Sequence, residues 1–154
     1  MTVTRDAVMD VIYGSCLLLD EERYDDWLDE LCDPGFRYSI TAYSTEIKKR
    51  MTWLDHGAES LRALCAMIPE HVTYQGRFHR HATLYRISLA EDARTAEAVS
   101  SLVVIHTDLE GESRFYAAGR YNDTLDLSGA QPRLLARNVD LDTRVLEFGS
   151  HRPL

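Results

Sequence analysis

Two histidines, His79 and His81, have the spacing that best suits metal chemistry. Residues two apart on a β-strand point to the same side, so both imidazoles could bind one ion. A zinc-type site uses three or four protein ligands, and no third ligand stands at a recognisable spacing from this pair. The pattern therefore favours surface or interface histidines, and we predict no metal-binding residue in this chain.

The adjacent pair Asp55 and His56 could act as a general acid and base. Asp55 stands where a helix is predicted to begin, and capping alone explains an aspartate at such a position. We therefore interpret Asp55 as a helix cap, and we predict no catalytic residue.

The three cysteines, Cys16, Cys32 and Cys65, lie in or beside apolar helical segments, where cysteine behaves as a small hydrophobic residue. Their odd number and wide spacing give no disulfide or zinc pattern. The sequence has no Cys-x-His followed by Cys-x-x-His, so the chain cannot by itself hold a Rieske iron–sulfur centre. It also lacks the G-x-S-x-G, Walker, H-E-x-x-H and G-x-G-x-x-G motifs. We predict no cofactor-binding residue.

Length and charge restrict the class of protein further. A chain of 154 residues fits one domain, 1–154, with a single core. The formal net charge of −8 argues against a nucleic-acid partner, which needs clustered Lys and Arg. No apolar run approaches the roughly 18 residues of a transmembrane helix, so we expect no membrane span. Reduced thiols favour the cytoplasm.

The elements that would position these residues begin with two helices. Four apolar residues recur at helical spacing and predict a helix with one buried face that begins near Thr4: Val8, Ile12, Cys16 and Leu19. A shorter amphipathic segment, 24–31, stops before the Asp-Pro-Gly segment at 33–35, because proline disfavours helix at the preceding residue.

From Phe36 the apolar period changes to two, which is typical of a strand with one buried face. A further helix is predicted between Asp55 and Pro69. The predicted strands are 36–43, a weaker one at 48–53, and 81–89, 96–108, 113–125 and 133–141. Helices grouped early and hairpin-linked strands grouped late predict an α+β domain, with the helices packed across one face of a curved antiparallel sheet.

Charged residues occupy both of the last two predicted strands. Antiparallel pairing would allow cross-strand contacts of Arg120 with Asp140 and of Asp123 with Arg137. Alternation places Arg137 on one face with Leu135, Val139 and Leu141, which are apolar. From the hairpin alone, a solvated strand face is the simpler interpretation.

Aromatic and polar residues also gather between positions 38 and 56. Tyr43, Trp53, Asp55 and His56 could line a pocket at the open end of the sheet, where small-molecule sites form. They could equally form a patch against another subunit, because Tyr and Trp are enriched at interface centres. The sequence alone leaves both interpretations open.

The final hairpin also carries a family resemblance. Segment 119–127, GRYNDTLDL, followed by a glycine-containing turn and 133–146, RLLARNVDLDTRVL, resembles the terminal pattern of the small (beta) subunits of aromatic-ring-hydroxylating dioxygenases. The order of LLDEERYDDWLDEL, a first strand with two tyrosines, and RFHRHATLY agrees, so the resemblance covers nearly the whole chain. Tyr121 departs from it, because many members have a second arginine there.

Within this family, segment 38–56, YSITAYSTEIKKRMTWLDH, is most similar to the small subunits of methanesulfonate monooxygenase hydroxylases, which act on small alkanesulfonates. The resemblance implies a cystatin-like α+β cone that trimerises beneath three large (alpha) subunits, in an alpha3beta3 assembly. It also implies that the Rieske iron–sulfur centre and the mononuclear iron lie on the large subunit. The residues expected at the subunit interface are Tyr43, Trp53, Arg120, Asp123, Arg137 and Asp140.

Two functions follow as hypotheses. The first is a non-catalytic beta subunit of a multicomponent Rieske non-haem iron oxygenase that hydroxylates a small organic substrate. The alternative is a free-standing isomerase or dehydratase on the same cone fold. Its general base would be an Asp or His, and a tyrosine would donate a hydrogen bond to the developing oxyanion. The candidates for these roles are Asp55, His56, His79, His81, Tyr38 and Tyr43.

Overall fold

The computed structural model describes residues 5–71, 75–148 and 152–154. Thr4, the predicted start of the first helix, lies outside the described residues. The elements, in chain order, are α1 (Arg5–Asp20), α2 (Tyr24–Asp26), a π-helical turn (Trp27–Leu31), β1 (Cys32–Ser44), β2 (Lys49–Gly57), α3 (Ala58–Ala66), α4 (Ile68–His71), β3 (Arg77–Leu89), β4 (Thr95–Thr107), β5 (Ser113–Asp126) and β6 (Arg133–Leu141).

The strands form one six-stranded sheet in the order β2-β1-β6-β5-β4-β3. The prediction of an antiparallel sheet is confirmed for every neighbouring pair except β1 and β6, which run parallel. The last strand returns to the first across about a hundred residues of chain, and adjacency along the sequence therefore carried no information on this pairing. Each neighbouring pair contains a register shift, and such bulges bend the strands and increase their twist. The resulting α+β fold is a curved sheet with helices on its inner face, as predicted.

The inner face of the sheet meets the helices in one hydrophobic core. The four residues predicted on the buried stripe of α1 are all buried. Trp27 of the π-helical turn packs edge-on against Phe36 and Tyr38 of β1, with ring centroids 5.5 and 6.1 Å away. These ring contacts hold the helical layer against β1.

The second helical segment ends at Leu31, before the Asp-Pro-Gly segment, as predicted. The first strand begins earlier than predicted, at Cys32 instead of Phe36, and it includes this segment as a bulge opposite β6. One local prediction is wrong. Asp55 does not cap α3, because it lies within β2 and forms an ion pair with Arg37 at 2.7 Å. Gly57 occupies the cap position of α3 instead, without a side-chain hydrogen bond.

A bulge near the start of β6 changes which side chains face the core. Leu125 pairs with Leu134, while Thr124 pairs with Ala136, so Leu135 is the extra residue. Leu134 is buried and Leu135 is half-buried, which reverses the prediction from simple alternation. Beyond the bulge the alternation holds, and Arg137 lies on the same face as Val139 and Leu141, as predicted. That face is buried in the core, whereas the hairpin sequence alone favoured a solvated face.

Candidate functional site

Arg137 and Asp123 form an ion pair in the interior of the cone. They stand directly opposite each other on β6 and β5. The guanidinium donates from Nε to Oδ1 at 2.8 Å and from Nη2 to Oδ2 at 2.9 Å, and both side chains are 0% exposed. Its third nitrogen, Nη1, donates to the hydroxyl of Ser15 on α1. One arginine therefore joins two strands to the first helix.

The electrostatics keep this arginine charged. Burial lowers the pKa of Arg137, but the Asp123 carboxylate more than offsets burial and holds the pKa above its ordinary value. The guanidinium carbon also lies 3.8 Å from the centre of the Tyr121 ring, which is a cation–π contact. Tyr121, at which this chain departs from the family pattern, thus stabilises the arginine through the face of its ring.

The cross-strand pairing predicted from the sequence is confirmed in register, since Arg120 faces Asp140 and Asp123 faces Arg137. The predicted position of Asp123 and Arg137 at a subunit interface is contradicted by their burial within this chain. The cause is the helical layer: α1 covers the face on which both residues lie, and Ser15 completes their hydrogen bonding. They connect elements of this chain instead of facing another one.

The opposite face of the sheet carries a row of polar side chains. The Asn138 amide donates to the hydroxyls of Ser39 and Thr41, both at 3.0 Å. Asp140 forms an ion pair with Arg50 of β2, which reaches across β1. No sequence signal indicated the Arg50–Asp140 pair, because two strands that are not hydrogen-bonded neighbours supply its members.

Apolar side chains flank this polar row, and none of the described helices covers them. Tyr43 is 47% exposed, and Trp53, the extra residue of a bulge between β1 and β2, is 36% exposed. Arg120 is exposed and Asp140 is half-buried. Further apolar residues on the outward side are Tyr85, Val99, Val103, Ile105 and Phe115. We call this surface the outer sheet face.

The residues proposed for acid–base chemistry are not brought together. Asp55 pairs in register with Ser39 on the outer sheet face, whereas His56 pairs with Tyr38 on the inner face. His56 Nδ1 lies 3.1 Å from the Ser60 hydroxyl instead of near Asp55. The geometry therefore gives no support to an acid–base pair at these positions.

His79 and His81 are exposed on β3, with ring centroids 4.4 Å apart. Asp20 approaches His79 only to 4.0 Å. Across residues 5–71, 75–148 and 152–154, no group of three or more His, Cys, Asp or Glu side chains is placed to hold a metal ion.

Burial makes the three thiols poor nucleophiles. It raises the pKa of Cys32 and of Cys65 to about 12, and it raises the pKa of Cys16 above its ordinary value. All three are free cysteines within the core. Because the thiolate is the reactive form, these residues act as small hydrophobic side chains.

Large side chains and residues 152–154 fill the interior of the cone. Leu154 is 0% exposed, and its backbone N–H donates to the Tyr38 hydroxyl at 2.7 Å. Arg80 of β3 donates to the Pro153 carbonyl at 2.5 Å.

Among the described helices, none is long and apolar enough to cross a membrane.

The sequence and the fold of this chain are similar to those of a known family. The SnoaL-like domain family matches residues 2–137. The chain is 36% identical to the methanesulfonate monooxygenase hydroxylase subunit beta of Methylosulfonomonas methylovora, over 97% of this chain and 86% of that protein. It is 31% identical to the 2-aminobenzenesulfonate 2,3-dioxygenase subunit beta of an Alcaligenes species, over 96% of this chain and 97% of that protein.

Among solved structures, a similar one is a chain assigned as the beta subunit of an aromatic-ring-hydroxylating dioxygenase of Novosphingobium aromaticivorans. The TM-score is 0.82 at 23% identity, with 97% of this chain and 96% of that chain covered, which shows a common fold. By sequence and fold, the chain belongs to the SnoaL-like beta subunits of oxygenase hydroxylase components. The family predicted from the final hairpin is thus confirmed.

Proposed function

We propose that this chain is the non-catalytic beta subunit of a multicomponent Rieske non-haem iron oxygenase that hydroxylates a small organic substrate. The observation that carries the proposal is its relationship, over nearly its whole length, to beta subunits of such hydroxylases. The cone interior adds support, because a buried ion pair and residues 152–154 occupy the space that a free-standing enzyme would need for a substrate. We favour an alkanesulfonate as the substrate class, because the relative that is 36% identical belongs to a methanesulfonate monooxygenase.

The described residues of this chain do not fit the cofactors of such an oxygenase. A Rieske centre needs two cysteine and two histidine ligands. The three thiols are buried in the core, while His79 and His81 are exposed on an edge strand. We therefore propose that the large (alpha) subunit holds both the iron–sulfur centre and the mononuclear iron.

The outer sheet face is the surface we propose for contact with another subunit. Tyr43 and Trp53 would supply apolar contact area, and Arg120 and Asp140 would supply charges that set orientation. We propose a beta trimer within an alpha3beta3 complex in the cytoplasm, with the whole chain acting as one domain.

Co-expression with the large subunit of the same hydroxylase tests the proposal. Native mass measurement should give a complex with equal numbers of the two chains, and turnover should require the large subunit. A beta chain that stays monomeric beside its co-expressed partner, or that turns over substrate alone, would contradict the proposal.

A further inference from the structure

Residues 152–154 are enclosed by other parts of the chain, which bind them through hydrogen bonds and apolar contacts. The Leu154 N–H donates to the Tyr38 hydroxyl, and the Pro153 carbonyl accepts from Nη2 of Arg80. The Leu154 side chain joins the hydrophobic core. One apolar side chain and two backbone groups thus occupy the space between β1 and β3.

Arg80 has hydrogen-bonding capacity that this segment does not use. Its side chain is 1% exposed, and Nη1 donates to Asp20 at 2.7 Å. Nη2 donates to Pro153, but Nε has no hydrogen-bond partner among the described residues. Nε and Nη2 lie on one edge of the guanidinium, and a single carbonyl oxygen satisfies only one of them. A carboxylate would accept from both, in the bidentate geometry that arginine favours.

The surroundings of Arg80 fit an anion with a small apolar group. The Phe78 ring lies 5.9 Å from the Arg80 guanidinium carbon, and the Tyr38 hydroxyl supplies a second polar contact to the segment. Asp20 pairs with Nη1 of Arg80 but leaves its Nε–Nη2 edge free of carboxylate oxygen. The site therefore has a guanidinium donor edge at one end and an apolar ring at the other.

The segment is held at the mouth of the cone by a contact that solvent can reach. Arg152 forms an ion pair with Glu22 at 2.7 Å, and the Glu22 side chain is about half exposed. The Arg152 side chain is only 8% exposed, so solvent reaches this pair mainly from the Glu22 side. Release of the segment would leave the Arg80 guanidinium without its acceptor at Pro153.

We propose that residues 152–154 are an internal, displaceable ligand, and that the site they fill binds a small branched aliphatic carboxylate when the segment leaves. The carboxylate accepts from Nε and Nη2 of Arg80, and its branched end takes the position of the Leu154 side chain. This gives the beta subunit a binding site of its own, separate from the outer sheet face.

The test uses the full chain and 4-methylpentanoate, whose branched end matches a leucine side chain. Leu154→Asp should expel the segment, and Val145→Asp, at a position that is 87% exposed, is the matched control. By titration calorimetry, Leu154→Asp should bind one carboxylate per chain at least tenfold more tightly than the wild type or the control. Adding Arg80→Gln should abolish the gain, and the neutral 4-methylpentanamide should bind at least tenfold more weakly. A folded Leu154→Asp variant without any gain would overturn the proposal.

If Leu154→Asp does not fold, hydrogen exchange on the unaltered chain tests whether residues 152–154 can leave their site. A displaceable segment opens locally, so the Leu154 amide should exchange at least tenfold faster than the amides of Tyr38 and Val139. Saturating 4-methylpentanoate should accelerate it further by competing for Arg80. Exchange as slow as in those strands, unchanged by the carboxylate, would show that the segment is a permanent part of the core.

Discussion

Arg137 and Asp123 face each other across β6 and β5 with two parallel hydrogen bonds, and neither side chain is exposed to solvent. The pair adds a third bond to Ser15 and so links the sheet to α1. A charged pair at the centre of the cone thus replaces the open cavity that a free-standing enzyme on this fold would need.

Breaking this pair should be strongly destabilising. Replacing Arg137 by Met leaves the Asp123 carboxylate buried without its partner, and such losses cost about 3–5 kcal/mol. Urea unfolding of Arg137→Met should show a loss of that size, and the double variant with Asp123→Leu should recover most of it. Arg50→Ala, which breaks a partly exposed pair with Asp140, is the control and should cost less than about 1 kcal/mol. An Arg137→Met chain as stable as this control would refute a structural role for the pair.

The ring of Tyr121, and not its hydroxyl, should support Arg137. The hydroxyl lies near the Cys16 thiol and meets no hydrogen-bond geometry among the described residues, whereas the ring stacks on the guanidinium at 3.8 Å. Tyr121→Phe should therefore be nearly neutral. Tyr121→Leu removes the cation–π contact and should cost about 1–2 kcal/mol more, measured by thermal unfolding. Equal effects of the two substitutions would argue against stacking as the stabilising contact.

Substitutions on the outer sheet face should weaken assembly without unfolding the chain. Trp53→Ala and Arg120→Ala remove the residue types that most often dominate interface energetics, and each should weaken subunit association at least tenfold. Asp140→Ala should act in the same direction. Native mass spectrometry over a dilution series measures the effect, and Leu109→Ala, at an exposed turn, is the control. Unchanged oligomers for all of these variants would remove the outer sheet face as an interface.

The Glu46 carboxyl should titrate at unusually low pH. Hydrogen bonds from Arg144 lower its pKa from 4.5 to about 2. Since the folded-state pKa is the lower one, the associated stability is present above pH 4.5 and is lost as the pH falls through about 2. Carboxyl NMR titration should show this low pKa in the wild type.

Arg144→Ala should return the pKa of Glu46 towards its ordinary value in the same titration. Arg114→Ala, which removes an arginine paired with other glutamates, should leave it unchanged. A Glu46 pKa that does not respond to Arg144→Ala would contradict the assigned cause.

The features that the sequence predicted correctly are those set by local periodicity. The spacing of Val8, Ile12 and Cys16 places them on one buried stripe of α1, whatever the helix packs against. The register of the β5–β6 hairpin was also predicted correctly, because a short turn between two antiparallel strands restricts which residues face each other. Arg120 therefore lies opposite Asp140 in the register, as the sequence indicated.

The errors arise where distant segments meet. Asp55 resembled a helix cap, but Arg37 of the neighbouring strand engages it and β2 continues past it. Simple alternation puts Leu135 on the same face as Val139, but a bulge that pairs Leu125 with Leu134 removes it from that face. A bulge depends on the partner strand, so alternation within a single strand cannot reveal it.

The sequence by itself determined the α+β fold, the family and the absence of a recognisable cofactor motif. Each of these depends on the spacing of residues that are close together in the chain. Only the tertiary structure decided which charges lie inside, since the burial of Arg137 depends on α1 supplying Ser15 from more than a hundred residues away. It also decided that residues 152–154 fill the cone, because their contacts with Tyr38 and Arg80 require the chain to fold back over its first strand and β3.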